Sequence, residues 1–167
     1  MDTSASASTE SYMHHYAKLT VKEWLMSAWR YNLKHGYSNK LYIFDWKVNY
    51  RDSGIRLEYP ILSKAIGDGS GSLVLGVETP WVEYPDLGKL APGVKVEAVL
   101  DVAIIDLEDG RLKYGIEIVH KHLCTKSKRD FLKQRCSKVQ IYELSAEWVL
   151  GQVMKEVPPK KWPCVQI

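Results

Sequence analysis

Two acidic residues on neighbouring predicted strands are the strongest candidates for chemistry. Asp101 and Glu117 lie in two runs of alternating residues, Val96 to Asp106 and Arg111 to Val119. The runs read as a β-hairpin whose loop contains Gly110. If that loop has three residues, with glycine in the left-handed conformation, paired residue numbers sum to 218. Asp101 is then expected to lie directly opposite Glu117.

The distribution of apolar residues supports this register. In the register with a sum of 218, one face of the hairpin carries six apolar residues: Leu100, Val102, Ile104, Tyr114, Ile116 and Ile118. A two-residue turn would give a sum of 219 and would mix charged and apolar residues on both faces. The sequence therefore predicts an apolar face and, opposite it, a face that carries both acids.

Two carboxylates that face each other across a β-ladder repel, so a cation or a proton is needed between them. A divalent ion is one solution, because Mg²⁺ and Mn²⁺ prefer oxygen ligands. Protonation of one acid is another. A third is that the acids lie on a solvent-exposed face and pair with Lys113 and Lys121. The sequence alone leaves these three open.

Basic residues are concentrated after the second strand of this hairpin. The chain has a net charge of +3, but the segment from Ile118 to Gln140 contains seven basic residues and one acidic residue, a net charge of +6. Such a cluster binds phosphate backbones or forms a solvated helix face. The residues expected to contact nucleic acid are Lys113, Lys126, Lys128, Arg129 and Lys133.

The composition limits the class of protein. A chain of 167 residues with 46% hydrophobic residues is long and apolar enough for one globular domain. The sequence has no apolar run long enough to cross a membrane and no secretory signal. Its three cysteines lack CxxC spacing and are expected to be free thiols. These features predict an intracellular protein, cytoplasmic or nuclear, that is neither secreted nor membrane-bound.

The remaining elements predict an α/β (α+β) domain, a mixed sheet with helices on at least one side. We expect a disordered tail over residues 1–9, a domain over 10–157 and a C-terminal tail over 158–167. Within the domain the pattern predicts helices over Glu10 to about His35, Thr125 to Arg135 and Ser145 to Glu156, and further strands over Leu41 to Tyr50, Gly54 to Leu62, Ser72 to Glu78 and Lys138 to Leu144.

Several short motifs resemble one family of enzymes. Asp101 and Glu117 resemble the metal-binding acids of the PD-(D/E)xK nucleases, which lie on adjacent strands. Ser11-x-x-His14-x-x-x-Lys18, followed by Glu23-Trp24-Leu25, is similar to the first helix of the branch that includes the competence protein CoiA. Leu100-Asp101-Val102, Ile116-Glu117-Ile118-Val119-His120 and the basic helix before Ile141-Tyr142-Glu143-Leu144 also resemble that branch. The likeness spans roughly residues 10–150.

The resemblance implies a restriction-endonuclease-like fold and metal-dependent hydrolysis of DNA phosphodiester bonds. Asp101 and Glu117 would hold Mg²⁺ or Mn²⁺, with Glu58 preferred to Glu78 and Glu97 as the third acid. His14 or its neighbour His15 would contact the scissile phosphate or a metal-bound water. DNA is the expected partner, and a protein partner or a homodimer is left open.

Two positions depart from the family pattern. Leu100 replaces the motif proline, and Val119 occupies the place of the lysine or glutamine that helps to position water and phosphate. Lys121 is expected to supply the missing cation, in preference to Lys113. The alternative is a catalytically inactive module of the same fold that binds nucleic acid or a protein partner.

Overall fold

The computed structural model describes residues 3–35, 54–65, 71–74, 92–120, 124–153 and 162–167. Over these ranges the elements are α1 (Thr3–His35), β1 (Ile55–Ala65), β2 (Gly71–Val74), β3 (Val94–Ile105), β4 (Leu112–Val119), α2 (Lys126–Arg135), β5 (Gln140–Ser145), α3 (Ala146–Gln152) and β6 (Val165–Gln166). The strands form one mixed sheet in the order β2-β1-β3-β4-β5-β6. β4 and β5 are parallel, and the other neighbouring strands are antiparallel.

Helices cover both faces of this sheet, which confirms the predicted mixed α+β class. On one face, α1 and α3 pack against β3 and β4 through residues such as Leu25, Val149 and Ile116. On the other face, α2 packs through Leu132 against residues that include Ile105 and Ile141. The middle of the sheet is therefore buried on both sides. None of the helices in the described ranges is long and apolar enough to cross a membrane.

The hairpin has the predicted register in its middle but not at its loop. Val102 pairs with Ile116 and Ile104 with Tyr114, so the sum of 218 is confirmed there. At the next pair, Ile105 with Leu112, a β-bulge changes the sum. The predicted three-residue loop is therefore wrong, although its glycine does adopt the left-handed conformation.

Polar side chains explain this wider loop. The backbone N–H of Asp106 donates to the carbonyl of Arg111 at 3.0 Å, which leaves four residues between them. The Asp106 carboxylate accepts from the N–H of Glu108, and the Asp109 carboxylate accepts from the N–H of Arg111, both at 2.9 Å. These Asx-type bonds stabilise the longer turn, and the bulge then restores the register of the core.

In both β1 and β3 the regular alternation of side chains between the two faces of the sheet is broken. The two breaks lie opposite each other in the paired strands. Leu57 and Val102, which are paired, pack on the α1 side of the sheet. Tyr59 and Leu100, also paired, pack on the α2 side. Between them Glu58 has a positive φ of 51°. This left-handed residue breaks the alternation without shifting the register of the two strands.

The reversal corrects the predicted position of Leu100. Leu100 is fully buried, as expected, but it lies on the opposite face from Val102. It packs over Gly115, where an added Cβ would lie 3.1 Å from Leu100 Cδ1. The glycine thus provides the space for this side chain on the α2 side.

The structure differs from the prediction near both ends of the chain. α1 begins at Thr3 rather than near Glu10, because the Ser- and Ala-rich start lacks the Gly or Pro that would break a helix. At the other end, the expected tail includes β6, which pairs with β5, and Trp162, which is buried against Trp24. Burial of this indole offsets the cost of ordering the segment.

The other predicted elements are found close to their expected bounds where the structure describes them. β1, α2 and β5 match their predicted segments, and α3 ends at Gln152, earlier than expected. Ser145 caps α3 as predicted, and its hydroxyl accepts from the N–H of Trp148. The strand expected over Leu41 to Tyr50 lies outside the described residues.

Candidate active site

Asp101 is a buried carboxylate held between β4 and α1. It is 9% exposed and directly precedes Val102, whose pair with Ile116 is the last in the β3–β4 ladder. Continued by one residue, this register leads to Asp101 and Glu117. The Oδ2 of Asp101 accepts a hydrogen bond from the N–H of Ile118 at 2.8 Å and lies 3.1 Å from His14 Nε2. Burial alone would raise the pKa of Asp101, but the bond with His14, its charge and the Ile118 N–H together lower that pKa. Asp101 is therefore the more readily ionised member of the pair.

His14 reaches Asp101 from α1, and its expected contact with phosphate or a metal-bound water stays a prediction. Its Nε2 also lies 2.9 Å from the carbonyl oxygen of Ile118, so the single ring nitrogen faces two oxygens. The hydrogen bond with Asp101 raises the pKa of His14, although burial opposes that shift. The imidazolium form is favoured, and it places a positive charge beside Asp101.

Glu117 is the less satisfied acid. It is 4% exposed, and its Oε2 accepts a hydrogen bond from Lys128 Nζ at 2.8 Å. Its Oε1 is buried and has no hydrogen-bond partner among the described residues. Burial, followed by repulsion from Asp101, raises the pKa of Glu117 to about 7 even though Lys128 and the backbone N–H of Asp101 oppose the shift. With both acids buried, the alternative of a solvent-exposed face is wrong.

Glu58 lies beside the pair but has a cation of its own. The β1 to β3 register places it level with Asp101, and the charge of Asp101 acts on it. Its side chain is 65% exposed and accepts a hydrogen bond from Lys18 Nζ at 2.9 Å, which lowers the pKa of Glu58. Lys18 itself is buried. The structure thus brings the predicted third acid near the site, with a lysine already bound to it.

Lys113, one of the two lysines expected to replace the motif cation, is not paired with either acid. Lys113 pairs with Asp109 at 2.7 Å, beside the hairpin loop, because the β-bulge falls at that residue. Lys121 and Glu78 lie outside the described residues. Glu97, the other reserve acid, accepts a hydrogen bond from Ser63 and pairs with Lys95. Among the described residues, Lys128 pairs with Glu117, although the sequence places it only in the nucleic-acid-binding set.

The four basic residues of α2 that were expected to contact nucleic acid divide into two groups. Lys126 and Lys133 are exposed, as expected for phosphate contacts. Lys128 and Arg129 are half-buried and pair with Glu117 and with Glu143, respectively. Sequence reasoning missed this division because all four residues have similar chemistry and are close in the chain.

Glu143 is also a buried acid that sequence reasoning missed. A signal for it was present, since Glu143 continues the alternating series of Val139 and Ile141 in the predicted strand Lys138 to Leu144. It is 4% exposed, and its carboxylate also accepts from the N–H of Cys124 at 3.1 Å. An acid at a core-facing position of a strand indicates a buried partner of opposite charge.

The donor atoms at Asp101 and Glu117 fit a hard divalent ion. Over the described ranges, no group of three or more His, Cys, Asp or Glu residues is placed to hold a metal. Mg²⁺, however, keeps several waters and binds proteins through only one or two carboxylates. The unpartnered Oε1 of Glu117 provides a suitable oxygen, and the charge of Asp101 acts on the same carboxylate. Lys128 and His14 supply positive charge at the same acids.

Comparisons of this chain with protein-family models, with curated proteins and with solved structures find no match.

Proposed function

We propose that this protein is a nuclease that hydrolyses DNA phosphodiester bonds with Mg²⁺ or Mn²⁺. Asp101 and Glu117 would hold the metal ion. The observation that carries the proposal is the buried, unpartnered Oε1 of Glu117, an acid on which the charge of Asp101 also acts. Repulsion between the two acids is one cause of the raised pKa of Glu117. Binding of a cation by the two acids would relieve this repulsion, so it is energetically favourable.

The arrangement of the elements supports this proposal. The two acids lie on adjacent strands, and a first helix brings His14 to one of them. A basic helix and a strand parallel to β4 follow, in the order that the resemblance to PD-(D/E)xK nucleases implies.

In this reaction the chain's own residues bind and orient the groups. Asp101 and Glu117 would hold the divalent ion, which when bound supplies Lewis-acid activation of water and of the phosphate. His14 fixes the carboxylate of Asp101. The Nζ of Lys128 provides positive charge where negative charge grows on the phosphate in the transition state. Lys128 thereby takes the role that the sequence assigned to Lys121 or Lys113.

The exposed lysines of α2 are proposed to bind the DNA backbone. Lys126 and Lys133 lie on the same helix as Lys128 and are exposed. Contacts to phosphates position a duplex or a single strand but do not read its sequence. This surface would hold DNA over the acids regardless of base composition.

The decisive experiment is a single-turnover cleavage assay with Mg²⁺ and with Mn²⁺ on duplex, flap, junction and single-stranded DNA. Asp101→Asn keeps an acceptor for the N–H of Ile118 but loses the charge, and we expect it to abolish cleavage. The matched control is Asp109→Asn, which makes the same change in an ion pair beside the hairpin loop and should cleave normally. Cleavage by Asp101→Asn at the wild-type rate would refute the proposed site.

The second candidate function is a non-catalytic module that binds nucleic acid or a protein. It is favoured by the cations that the chain itself provides, because His14, Lys18 and Lys128 already pair with Asp101, Glu58 and Glu117. The two functions differ in metal binding. DNA binding without cleavage and without any Mn²⁺-dependent rise in melting temperature would favour the module.

A further inference from the structure

Glu143 is a buried acid that the proposed reaction does not use. It is the Cα partner of Glu117 in the parallel ladder of β4 and β5, so the two acids are neighbours in the sheet. Each is paired with one of two consecutive residues of α2, Glu117 with Lys128 and Glu143 with Arg129. The start of the basic helix is thus fixed to the sheet by two adjacent ion pairs.

One carboxylate holds the chain on both sides of Lys128. Glu143 Oε1 accepts a hydrogen bond from Arg129 Nη2, one residue after Lys128. Glu143 Oε2 accepts from the N–H of Cys124, four residues before Lys128. The Thr125 hydroxyl between these points caps the helix and accepts from the N–H of Lys128 at 3.4 Å.

Apolar packing does not hold this turn of α2 in place. The buried residue of α2 is Leu132, one turn further along the helix. Lys128 Nζ nevertheless sits between Glu117 Oε2, at 2.8 Å, and the carbonyl oxygen of Val99, at 2.7 Å. A long lysine side chain has many rotamers, so a single placement of its Nζ requires a fixed backbone.

We infer that Glu143 is a positioning residue, which fixes the first turn of α2 so that Lys128 is held against Glu117. The inference rests on the proposed function for its catalytic consequence, but its structural content is independent of cleavage. Both carboxylate oxygens of Glu143 accept hydrogen bonds from α2 or the residues just before it, so its effect is expected to pass through Arg129 and the backbone of Cys124.

The first test measures the reactivity of the Lys128 amine without any substrate. In Glu143→Gln, reductive methylation of Lys128, followed by mass spectrometry, should be faster than in wild type by about tenfold or more, because the charged pair that holds the helix is lost. Exposed Lys126 is the internal reference, and Asp109→Asn is the matched control. An unchanged rate at Lys128 would overturn the inference. If Glu143→Gln does not fold, Arg129→Gln removes the same ion pair from the helix side.

The second test is a double-mutant cycle on single-turnover cleavage. If Glu143 acts through Lys128, then Glu143→Gln should slow cleavage in the wild-type background but not in a Lys128→Met background. Equal slowing in both backgrounds would show a merely structural role and overturn the inference. A wild type that does not cleave DNA would refute the proposed function alone, since the amine reactivity of Lys128 still decides the role of Glu143.

Discussion

At the scale of single residues, Glu117 determines how the stability of the folded protein depends on pH. Its pKa is raised from 4.5 to about 7, so between these values the folded protein keeps a proton that the unfolded chain releases. The free energy of unfolding should therefore fall as the pH rises through this window. The pKa of His14 is also raised, so the stability it provides is lost as the pH rises above 6.5 and through its folded pKa. The lowered pKa of Asp101 acts in the opposite sense, but only at acid pH near or below 3.8.

We expect Glu117→Gln to flatten this pH dependence. In EDTA, the free energy of unfolding of the wild type should fall as the pH rises from 5 to 8. The contribution of Glu117 to this fall is at most about 1.4 kcal/mol per pH unit. The variant should keep only the smaller fall due to His14, and it should be more stable than wild type at pH 8. Urea denaturation at several pH values measures both. Parallel profiles would show that Glu117 ionises normally in the folded protein.

The ion pair between Lys18 and Glu58 has one buried partner and one exposed partner. Lys18 is 4% exposed, whereas the Glu58 side chain is largely in solvent. Removal of the exposed partner leaves a buried charge unpaired, while replacement of the buried lysine by an apolar residue does not. Glu58→Gln should therefore destabilise the protein by about 1–2 kcal/mol.

Lys18→Met should change stability by less than about 1 kcal/mol, since it removes the buried charge itself. The control is Asp109→Asn. Its partner Lys113 is one-third exposed, so this variant should lose little stability. Chemical denaturation compares the three variants at pH 7. A larger loss in Lys18→Met than in Glu58→Gln would contradict this explanation.

The structural elements show how far the sequence pattern determines the site. Alternation predicted the strands and the register that brings Asp101 and Glu117 together, because one register alone separates apolar from charged residues. It could not predict the reversal at Glu58, since a positive φ in a non-glycine residue leaves no mark in the pattern. Leu100 was consequently assigned to the wrong face. Lys128 was missed because helix spacing does not say which lysine meets an acid on another element.

α2 is expected to act as the DNA-binding element through its exposed lysines. Lys126→Glu and Lys133→Glu should each weaken DNA binding for all sequences and reduce the slope of log K against log salt by roughly 1. Lys95→Glu, at an exposed lysine of β3, is the matched control and should leave the slope unchanged. Fluorescence anisotropy over a range of NaCl concentrations measures the slope. Equal slopes in all variants would assign the basic charge to solvation.

At the scale of the whole molecule, the site provides its own cations and does not depend on a metal to fold. His14 and Lys128 partly neutralise the two acids, and the core on both faces of the sheet involves neither acid. The metal-free protein should therefore be folded and should unfold cooperatively in EDTA. A divalent ion would then act as a ligand of the folded state and stabilise it by mass action.

The size of that stabilisation gives the last prediction. At Mn²⁺ concentrations about 100 times Kd, the folded state should gain about 2.7 kcal/mol, which raises the melting temperature of a domain of this length by roughly 5–10 °C. Asp101→Ala and Glu117→Ala should remove the shift while the protein remains folded, and in EDTA Glu117→Ala should be no less stable than wild type at pH 8. Ca²⁺ and Zn²⁺ titrations in the same assay would separate a specific oxygen site from general divalent binding, and Asp109→Asn should retain the full shift. A wild-type melting temperature that does not respond to Mn²⁺ or Mg²⁺ would mean that Lys128 and His14 are the permanent counterions of the acids, and the metal-dependent reaction would have to be abandoned.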